Sequence, residues 1–329
     1  MKTAVVLFNL GGPDSLDAVR PFLFNLFNDK AIIGLPQPWR WLLARYISGK
    51  RAPVAREIYD HLGGKSPLLE QTQDQANALE KVLGPDFKVV VAMRYWHPFA
   101  DQALQQVQDW GADRVILLPL YPQFSTTTTG SSLKQWHQLA AGRFGQTKVV
   151  CCYPVMPGFV SASARLIRAQ YDQALGKGQP RLLFSAHGLP QSIVDKGDPY
   201  QRQVEQSAAV IVAALGIDGL DWAICYQSRV GKAKWIGPST EEELARAGAD
   251  KVPVVVAPIA FVSEHSETLV ELDIEYRHLA ESLGIPGYFR ASTVQSHPDF
   301  IHGLARLVAE PKQFRGQACG TRCLCAEEP

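Results

Sequence analysis

No apolar run in this chain of 329 residues approaches the roughly 20 residues that a membrane-spanning helix needs. The first residues, MKTAVVLFNLGGP, hold an apolar run of about six residues and then a Gly-Pro turn, which predicts a strand rather than a signal peptide. The chain also lacks an excess of charge of one sign, because 33 Lys and Arg balance 32 Asp and Glu. That balance argues against a general affinity for nucleic acid. We therefore expect a cytoplasmic protein that meets a membrane only peripherally, at the inner face.

Cysteine is scarce as well, with six residues in the whole chain. In a reducing compartment so few cysteines are not expected to form a disulfide framework. Five of them stand in two tight groups, a pattern that indicates metal ligation: Cys151 and Cys152, then Cys319, Cys323 and Cys325. For the second group, a structural zinc site and exposed thiols are the alternatives. Cys225 stands alone in a predicted strand, where we expect a buried core thiol.

What the sequence does contain is a regular alternation of short apolar runs and longer amphipathic segments. The predicted strands are residues 4–9, 88–93, 114–119, 148–152, 181–186, 222–226 and 254–258. The predicted helices include residues 71–83, 100–110, 159–175 and 201–215. Such alternation is typical of an α/β fold with parallel sheets that helices cover on both faces.

The two halves of the chain resemble each other. GADRV at 111–115 and GADKV at 248–252 each lead into an apolar run that ends at a proline, and VVLFNLGGP is matched by RLLFSAHGLP. We predict two similar α/β domains, residues 1–178 and 179–310, followed by a cysteine-rich tail, 311–329. Ligands commonly bind in a cleft between two such units, so we expect the functional site there.

The first half carries an insertion. From Pro13 to Pro119 is 106 residues, whereas from Pro190 to Pro258 is 68, and the surplus falls at about residues 22–64. This segment mixes large apolar residues and two tryptophans with arginine and lysine. An ordinary pair of core helices is one interpretation. We favour an apolar lip that holds a greasy ligand and rests on a bilayer, with tryptophan at the interface and basic side chains on anionic headgroups.

Four glutamates recur in the segment that follows the last predicted strand. On an α-helix, Glu264, Glu267, Glu271 and Glu275 would share an arc of about 80°, with apolar residues in the other directions. A stack of like charges destabilises a helix, but such stacks occur where protons or cations are handled. A solvated acidic face is the alternative. We favour a ladder of oxygen ligands that passes a divalent metal or protons.

His187 directly follows the strand predicted at 181–186. The carboxyl ends of parallel strands are where open α/β sheets carry functional groups. A lone histidine is more often structural, but here the acidic segment follows another strand end of the same half. Because an imidazole near neutral pH can accept a proton or bind a metal, we expect a functional role for His187.

These motifs resemble those of the ferrochelatase family along nearly the whole chain. They are NLGGP at 9–13, GGKSP at 63–67, RYWHP at 94–98, YPQFSTTTTGSS at 121–132, FSAHGLP at 184–190, KGDPY at 196–200, YQSRVGKAKWIGPST at 226–240 and SEHSETLVELDIEY at 263–276. The resemblance implies a chelatase fold of two flavodoxin-like domains with four-stranded parallel sheets. It also implies a lyase that inserts ferrous iron into protoporphyrin IX in haem biosynthesis.

The resemblance implies roles for individual residues. His187 and Glu267 match the family's catalytic pair, and Glu264, His265 and Glu271 match the rest of a polar path for metal or protons. The positions that match the porphyrin site are Leu10, Leu26, Phe27, Arg51, Tyr59, Ser66, Arg94, Tyr121 and Trp235. Of these, Arg51 resembles a basic residue that meets a porphyrin propionate.

The cysteine-rich tail is similar to the tails of family members that hold a [2Fe–2S] cluster. Cys319, Cys323 and Cys325 would supply three of the four thiolates that such a cluster needs. Animal relatives supply the fourth where this chain has Thr126. The resemblance to some bacterial relatives instead points to Cys152, or else to Cys151.

Leu10 bears on the substrate. Some Gram-positive relatives that act on coproporphyrin III carry tyrosine at this position, so the leucine and the apolar lip favour protoporphyrin IX. The alternatives are a coproporphyrin ferrochelatase, a cobalt chelatase and a porphyrin or haem carrier without turnover. A periplasmic carrier would also be built as a two-domain cleft, but it would need an export signal and no acidic ladder.

Overall fold

A computed structural model of the chain describes residues 1–144, 147–229 and 233–310. The first sheet has four parallel strands in the order β2-β1-β3-β4. Every residue of the central strand β1 is buried, as expected for a strand that is covered on both faces. The strands are β1 (Thr3–Asn9), β2 (Phe87–Met93), β3 (Arg114–Pro119) and β4 (Thr147–Val149).

The second sheet repeats this arrangement, with four parallel strands in the order β6-β5-β7-β8. The strands are β5 (Arg181–His187), β6 (Asp221–Gln227), β7 (Val254–Pro258) and β8 (Tyr288–Arg290). The common strand order confirms the predicted α/β fold of two similar parallel sheets. Two details differ from prediction. The last strand of the first sheet ends at Val149, before the cysteines, and the three-residue strand β8 was not predicted.

Helices connect the strands and cover both sheets. They are α1 (Val19–Phe27), α2 (Trp39–Asp60), α3 (Leu68–Leu83), α4 (Ala100–Trp110), α5 (Ser131–Ala140), α6 (Pro157–Ala174), α7 (Gln191–Val194), α8 (Tyr200–Leu215), α9 (Thr240–Asp250), α10 (Tyr276–Ser282) and α11 (Pro298–Ala309). Each half also contains a π-helix after its third strand in chain order: a first π-helix (Thr126–Gly130) and a second π-helix (Glu267–Glu275).

The two halves share one apolar core. A single cluster of buried side chains includes Val5 and Leu7 of the first sheet and Phe184 and Val255 of the second. The predicted boundary at 178/179 separates the strands of the two sheets but not the helices. Helix α6 precedes that boundary and packs on β7, β8 and α8, while α11 packs on α6 and on α3 of the first half.

The predicted insertion forms α1, α2 and the turns around them. Only four residues of α2 are buried, in a narrow stripe: Ala44, Ser48, Ala52 and Tyr59. Its outer face exposes several large apolar side chains, among them Trp39 (64% exposed) and Tyr46 (63% exposed). An ordinary pair of core helices would bury such side chains, so this exposed face does not fit that interpretation. Within the described ranges, no helix is both long and apolar enough to cross a membrane.

Candidate active site

His187 is the last residue of β5, beside Gln227 at the end of β6. Its backbone carbonyl accepts a hydrogen bond from the hydroxyl of Tyr200 at 3.0 Å. The next residue, Gly188, has no Cβ to collide with its neighbours: a Cβ there would lie 3.0 Å from the Gln227 carbonyl oxygen and 3.2 Å from the Trp235 ring. The glycine thus lets Trp235, a predicted porphyrin-binding residue, pack directly beside the strand end.

The imidazole of His187 faces the carboxylate of Glu267. Its Nδ1 lies 2.8 Å from Glu267 Oε2, and the two side chains are 41% and 25% exposed. With Nδ1–H donated to the carboxylate, Nε2 is the ring nitrogen left to accept a proton or bind a metal. Burial acts to lower the pKa of His187, but the facing Glu267 carboxylate, with a smaller effect of Glu271, raises it above the usual value. Burial opposes ionisation of Glu267 too, yet His187 and His265 hold its pKa well below the usual range.

Glu271 lies one turn further along the second π-helix. Its carboxylate accepts hydrogen bonds from the backbone N–H of Ser228 at 2.9 Å and from the Ser228 hydroxyl, which also lies 3.3 Å from Glu267 Oε2. Burial, together with the negative charge of Glu267, raises the pKa of Glu271 to about 7. The pKa values of the two neighbouring carboxyls are therefore well separated. At neutral pH Glu267 is ionised, whereas Glu271 is near its titration midpoint.

The predicted α-helical ladder of four glutamates is wrong in its geometry. The segment is a π-helix from Glu267, and Glu264 precedes it. The Glu264 carboxylate is buried and accepts hydrogen bonds from Arg290 Nη1 at 3.0 Å and from the backbone of Thr293 at 2.9 Å. Glu275, at the other end, is exposed. The ion pair with Arg290 turns Glu264 away from the predicted ladder, so only Glu267 and Glu271 share the contacts to Ser228.

His265 lies against the same pair. Its Nε2 is 3.9 Å from Glu267 Oε2, and its ring packs on Phe261 with centroids 4.4 Å apart. Burial lowers the pKa of His265, which favours the neutral imidazole. Its Nδ1 is enclosed and has no hydrogen-bond partner among the described residues.

The apolar residues predicted to line the porphyrin site form part of one cluster, which joins the end of β1 to α1 and α2 of the lip. Leu10, Leu26 and Phe27 pack with buried Tyr59 of α2. Burial raises the pKa of Tyr59 to about 12, and its hydroxyl lies near Ser266, the residue before Glu267. Ser66 packs on Gly12, where a Cβ would come within 2.5 Å of it. The structure therefore brings the predicted apolar residues of the first half to the acidic segment of the second.

The polar residues predicted for the porphyrin site are more scattered. Arg94 Nη2 donates to the buried carboxylate of Asp29 at 2.7 Å, and Tyr121 lies beside Arg94. Asp29 also accepts from Tyr95 and Ser131, each at 2.8 Å. Burial acts to raise the pKa of Asp29, but the backbone N–H of Ala31, the charge of Arg94 and these hydroxyls lower it. Arg51 lies on the exposed face of α2.

Sequence reasoning missed the residues that hold the site together. Ser228 joins Glu267 and Glu271 and has a left-handed backbone with φ of 60°, an uncommon conformation for serine. Asp29 fixes Arg94, and Tyr200 holds the His187 carbonyl. The motifs YQSRVGK and KGDPY contain two of them, but a motif alone does not tell which of its residues contact the site.

Three of the six cysteines are among the residues that the structure describes. Cys151 and Cys152 are buried, and Cys152 Sγ lies 3.5 Å from Gln203 Nε2. Cys225 is fully buried in β6, and burial raises the pKa of its thiol to about 12. Cys319, Cys323 and Cys325 lie outside the described residues. In the part of the chain that is described, no three His, Cys, Asp or Glu side chains are arranged to hold a metal ion.

The arrangement combines an oriented imidazole, an ionised carboxylate and a carboxyl that titrates near neutrality, next to an apolar cluster. Such a set can take protons from a weakly acidic ligand and can bind a divalent cation transiently.

The sequence comparisons are consistent with this chemistry. The ferrochelatase family profile matches residues 2–312. A ferrochelatase of Wolbachia sp. subsp. Drosophila simulans (strain wRi) is 56% identical over 314 residues, which cover 93% of this chain and 98% of the relative. A ferrochelatase of Caulobacter vibrioides (strain NA1000 / CB15N) is 53% identical over 331 residues, which cover 98% and 95%.

Solved chelatases share the fold at low identity. SirB from Bacillus subtilis with Fe3+ superposes with a TM-score of 0.53 at 12% identity and covers 94% of this chain and 95% of its own. CbiX, described as the terminal enzyme of sirohaem biosynthesis in denitrifying bacteria, gives a TM-score of 0.50 at 16% identity and covers 94% and 98%. At such identities these structures support the fold alone. The match over nearly the whole chain and the close relatives show that the chain belongs to the ferrochelatase family of metal-inserting enzymes.

Proposed function

We propose that this protein inserts ferrous iron into protoporphyrin IX during haem biosynthesis. The observation that carries the proposal is the His187–Glu267 pair at the end of β5, near the apolar cluster of the lip, in a chain of the ferrochelatase family. Insertion exchanges two pyrrole protons for one Fe²⁺, and iron stays in the same oxidation state throughout. The protein must therefore bind a flat apolar ring, accept protons and admit a cation.

His187 and Glu267 are the proposed catalytic pair. Glu267 accepts the Nδ1–H of His187, which leaves Nε2 to take a pyrrole proton, and the carboxylate then stabilises the imidazolium that forms. The raised pKa of His187 and the lowered pKa of Glu267 both favour the imidazolium–carboxylate pair that exists once His187 has accepted the proton. Proton acceptance and charge stabilisation thus come from a single hydrogen-bonded pair.

Glu271 and His265 extend the pair into the proposed path for protons and metal. Glu271 is near its titration midpoint at neutral pH, so it can accept a proton from the site or offer an oxygen to Fe²⁺. His265 stays neutral and lies 3.9 Å from Glu267. We propose a structural role for Glu264 instead of a place in this path, because its ion pair with Arg290 fixes the segment that precedes Glu267.

The porphyrin site is proposed from the apolar cluster. Leu10, Leu26, Phe27 and Tyr59 would offer a surface for the macrocycle. Ser66, Arg94, Tyr121 and Trp235 are the further positions that we propose to contact it. Arg51 on the exposed face of α2 would meet a propionate at the rim. Leu10 packs among apolar residues, which suits the vinyl-bearing protoporphyrin IX better than the more acidic coproporphyrin III.

An anaerobic assay tests the function. The unaltered chain is incubated with Fe²⁺ and either protoporphyrin IX or coproporphyrin III, and the Soret and visible bands report metalloporphyrin. We expect turnover with Fe²⁺ and a preference for protoporphyrin IX. Tight porphyrin binding without turnover would identify a carrier, and turnover with Co²⁺ but not Fe²⁺ would identify a cobalt chelatase. Either result would overturn the proposal.

We also propose that the lip rests on the inner face of a membrane. Trp39, Trp41 and Leu42 are exposed on α2, and Arg45 of the same helix stacks on the Trp41 ring. Exposed tryptophan beside basic side chains is typical of helices that lie in a bilayer interface. The apolar porphyrin substrate and the haem product would then move between the site and the membrane without crossing water.

We propose a [2Fe–2S] cluster held by Cys319, Cys323, Cys325 and Cys152, with Cys151 as the alternative fourth ligand. Helix α11 passes the start of α6 where Gly303 packs on Met156, four residues after Cys152. From Gly303 to Glu310 the chain advances about 10 Å, and the nine residues from there to Cys319 can span up to about 30 Å. The reach of the chain and the donor set of four thiolates therefore fit such a cluster.

Anaerobic purification tests the cluster. We expect absorption beyond 400 nm together with iron and acid-labile sulfide, and we expect Cys319→Ser to abolish all three. Comparing Cys152→Ser with Cys151→Ser identifies the fourth ligand, and Cys225→Ala serves as the control because that thiol is buried in β6. A colourless sample without iron and sulfide would exclude the cluster.

A further inference from the structure

The loops that follow β3 and β7 are each held by a helix of the other half. Gln71 of α3 accepts a hydrogen bond from the backbone N–H of Glu264, in the loop after β7, at 2.7 Å. Gln203 of α8 accepts one from the backbone N–H of Phe124, in the loop after β3, also at 2.7 Å. Each glutamine is the fourth residue of its 16-residue helix. The two contacts are therefore equivalent under the internal repeat.

A second pair of contacts follows the same repeat. Gln75 and Ser207 are the eighth residues of α3 and α8. Ser263 Oγ donates to Gln75 Oε1 at 3.0 Å, and Gln123 Nε2 donates to Ser207 Oγ at 2.9 Å. Gln75 Nε2 also donates to the Val262 carbonyl at 3.0 Å. Hydrogen bonds at the fourth and eighth positions of each helix thus fasten each loop to the opposite half.

The two loops are equivalent in these contacts, but they differ in the residues to which they lead. The loop after β7 leads directly into the residues of the proposed active site, and hydrogen bonds close its turn. The backbone N–H of His265 donates to Thr268 Oγ1, and that of Leu269 donates to the His265 carbonyl, both at 2.9 Å. Glu267 lies inside this turn. A displacement of the Glu264 backbone therefore moves the Glu267 carboxylate relative to His187, which belongs to a different strand.

We propose that Gln71 is a positioning residue, which sets the Glu267–His187 geometry across the interface between the two halves by holding the Glu264 backbone. This inference rests on the proposed function of the His187–Glu267 pair. Gln71 belongs to the first half, whereas both members of the pair belong to the second. The distance and angle between His187 and Glu267 therefore depend on how the two halves are oriented relative to each other. A misplacement of about 1 Å at such a pair can lower the rate up to roughly a hundredfold.

Three variants of α3 test this role. Gln71→Met keeps the length of the side chain but removes the acceptor of the Glu264 N–H. Gln71→Glu retains an acceptor oxygen at the same place. Gln73→Met is the matched control, because Gln73 is exposed two residues along the same helix and hydrogen-bonds with Asn77 of that helix. The measurements are kcat, KM for porphyrin, porphyrin affinity without iron and the thermal midpoint.

We expect Gln71→Met to lower kcat roughly tenfold or more while porphyrin affinity and KM stay unchanged. Gln71→Glu should recover most of kcat, and Gln73→Met should match the unaltered chain. A purely structural role would lower the thermal midpoint and the active fraction of every Gln71 variant without separating kcat from KM. That result, an unchanged kcat in Gln71→Met, or a failure of Gln71→Glu to recover activity would each overturn the inference. If the unaltered chain and Gln73→Met form no metalloporphyrin, the proposed function fails and the inference falls with it.

Discussion

Glu267 and Glu271 share the hydroxyl of Ser228 but differ in what else they face. Glu267 faces two imidazoles, whereas Glu271 faces mainly Glu267 and hydrogen-bond donors from Ser228. Burial opposes ionisation of both, but the imidazoles, His187 above all, keep Glu267 ionised, whereas the negative charge of Glu267 adds to burial and raises the pKa of Glu271 to about 7. Two carboxyls of the same type thus acquire separate roles from their surroundings.

This separation predicts how the apparent KM for Fe²⁺ depends on pH. The pKa of Glu271 is raised to about 7, so its carboxyl is neutral below that pH and negative above it. Because protons then compete with the cation, KM should rise as pH falls below 7, by at most about tenfold per pH unit for one competing proton. Anaerobic initial rates between pH 6 and 8 measure the effect.

Glu271→Gln is the control for this pH dependence. It removes the titrating group, so the slope of KM between pH 6 and 8 should flatten. Burial acts to lower the pKa of His187, but the facing Glu267 carboxylate raises it above the usual value, so His187 is a second group that can contribute to the pH dependence. A slope that persists unchanged in Glu271→Gln would assign the dependence to His187 instead of Glu271.

At the residue scale the sequence predicted the strand end of His187 correctly, because the apolar run before it is unambiguous. It could not predict Ser228, whose left-handed backbone aims both its N–H and its hydroxyl at the glutamates. Nor could it predict that Arg290, from the short strand β8, would neutralise Glu264. Both contacts join segments that are distant in sequence, so no local sequence pattern predicts them.

At the scale of single elements, α2 is the feature least explained by packing. Its buried stripe is narrow, and its exposed face carries aromatic and basic side chains. Large exposed apolar patches on a folded chain mark a surface that meets a partner or a membrane. The proposed lipid contact accounts for this face.

The membrane proposal predicts that Trp39→Ala combined with Trp41→Ala weakens binding to anionic vesicles. Both rings are exposed, so the change should leave the fold intact while it removes the apolar contact. Basic residues on α2 add attraction to anionic headgroups, so added salt should weaken binding further. Co-sedimentation with phosphatidylglycerol-containing and neutral vesicles measures both effects.

Trp222→Ala provides the matched control, because Trp222 is 37% exposed on β6 of the second sheet, far from α2 in the chain. Its loss should not change vesicle binding. Equal binding by the double variant and the unaltered chain would rule out the lip as the contact surface.

The second π-helix shows the limit of periodicity. The spacing of the glutamates predicts an α-helix with one acidic face, and three of them do lie in one helical segment. A π-helix has a wider turn, however, and it begins only at Glu267. The periodicity of a short segment does not distinguish the two helix types, which differ by one residue in hydrogen-bond spacing.

At the scale of the whole molecule, the internal repeat predicted from GADRV and GADKV corresponds to two sheets of identical strand order. The sequence predicted this architecture well because buried parallel strands are almost continuously apolar. It did not predict how the halves interlock, since the exchange of α6 and α11 between them depends on contacts that no single segment encodes.

The junction of α6 and α11 predicts a site of high sensitivity. A Cβ on Gly158 would lie 2.1 Å from the backbone oxygen of Asp299, and backbone on both sides leaves little room to adjust. Gly158→Ala should therefore destabilise the protein by about 1–3 kcal/mol and lower its thermal midpoint. Gly176→Ala is the control, because its Cβ would meet open space. Equal thermal midpoints for the two variants would show that the junction is looser than the contacts indicate.

The central claim is that the His187–Glu267 pair removes protons from a bound porphyrin. The most direct measurement is anaerobic turnover of His187→Ala and Glu267→Gln beside their porphyrin affinity, with His302→Ala on the exposed face of α11 as the control. We predict that each of the first two variants loses at least about a hundredfold in turnover and still binds protoporphyrin IX, while the control stays active. Turnover retained by either variant of the pair would contradict the account.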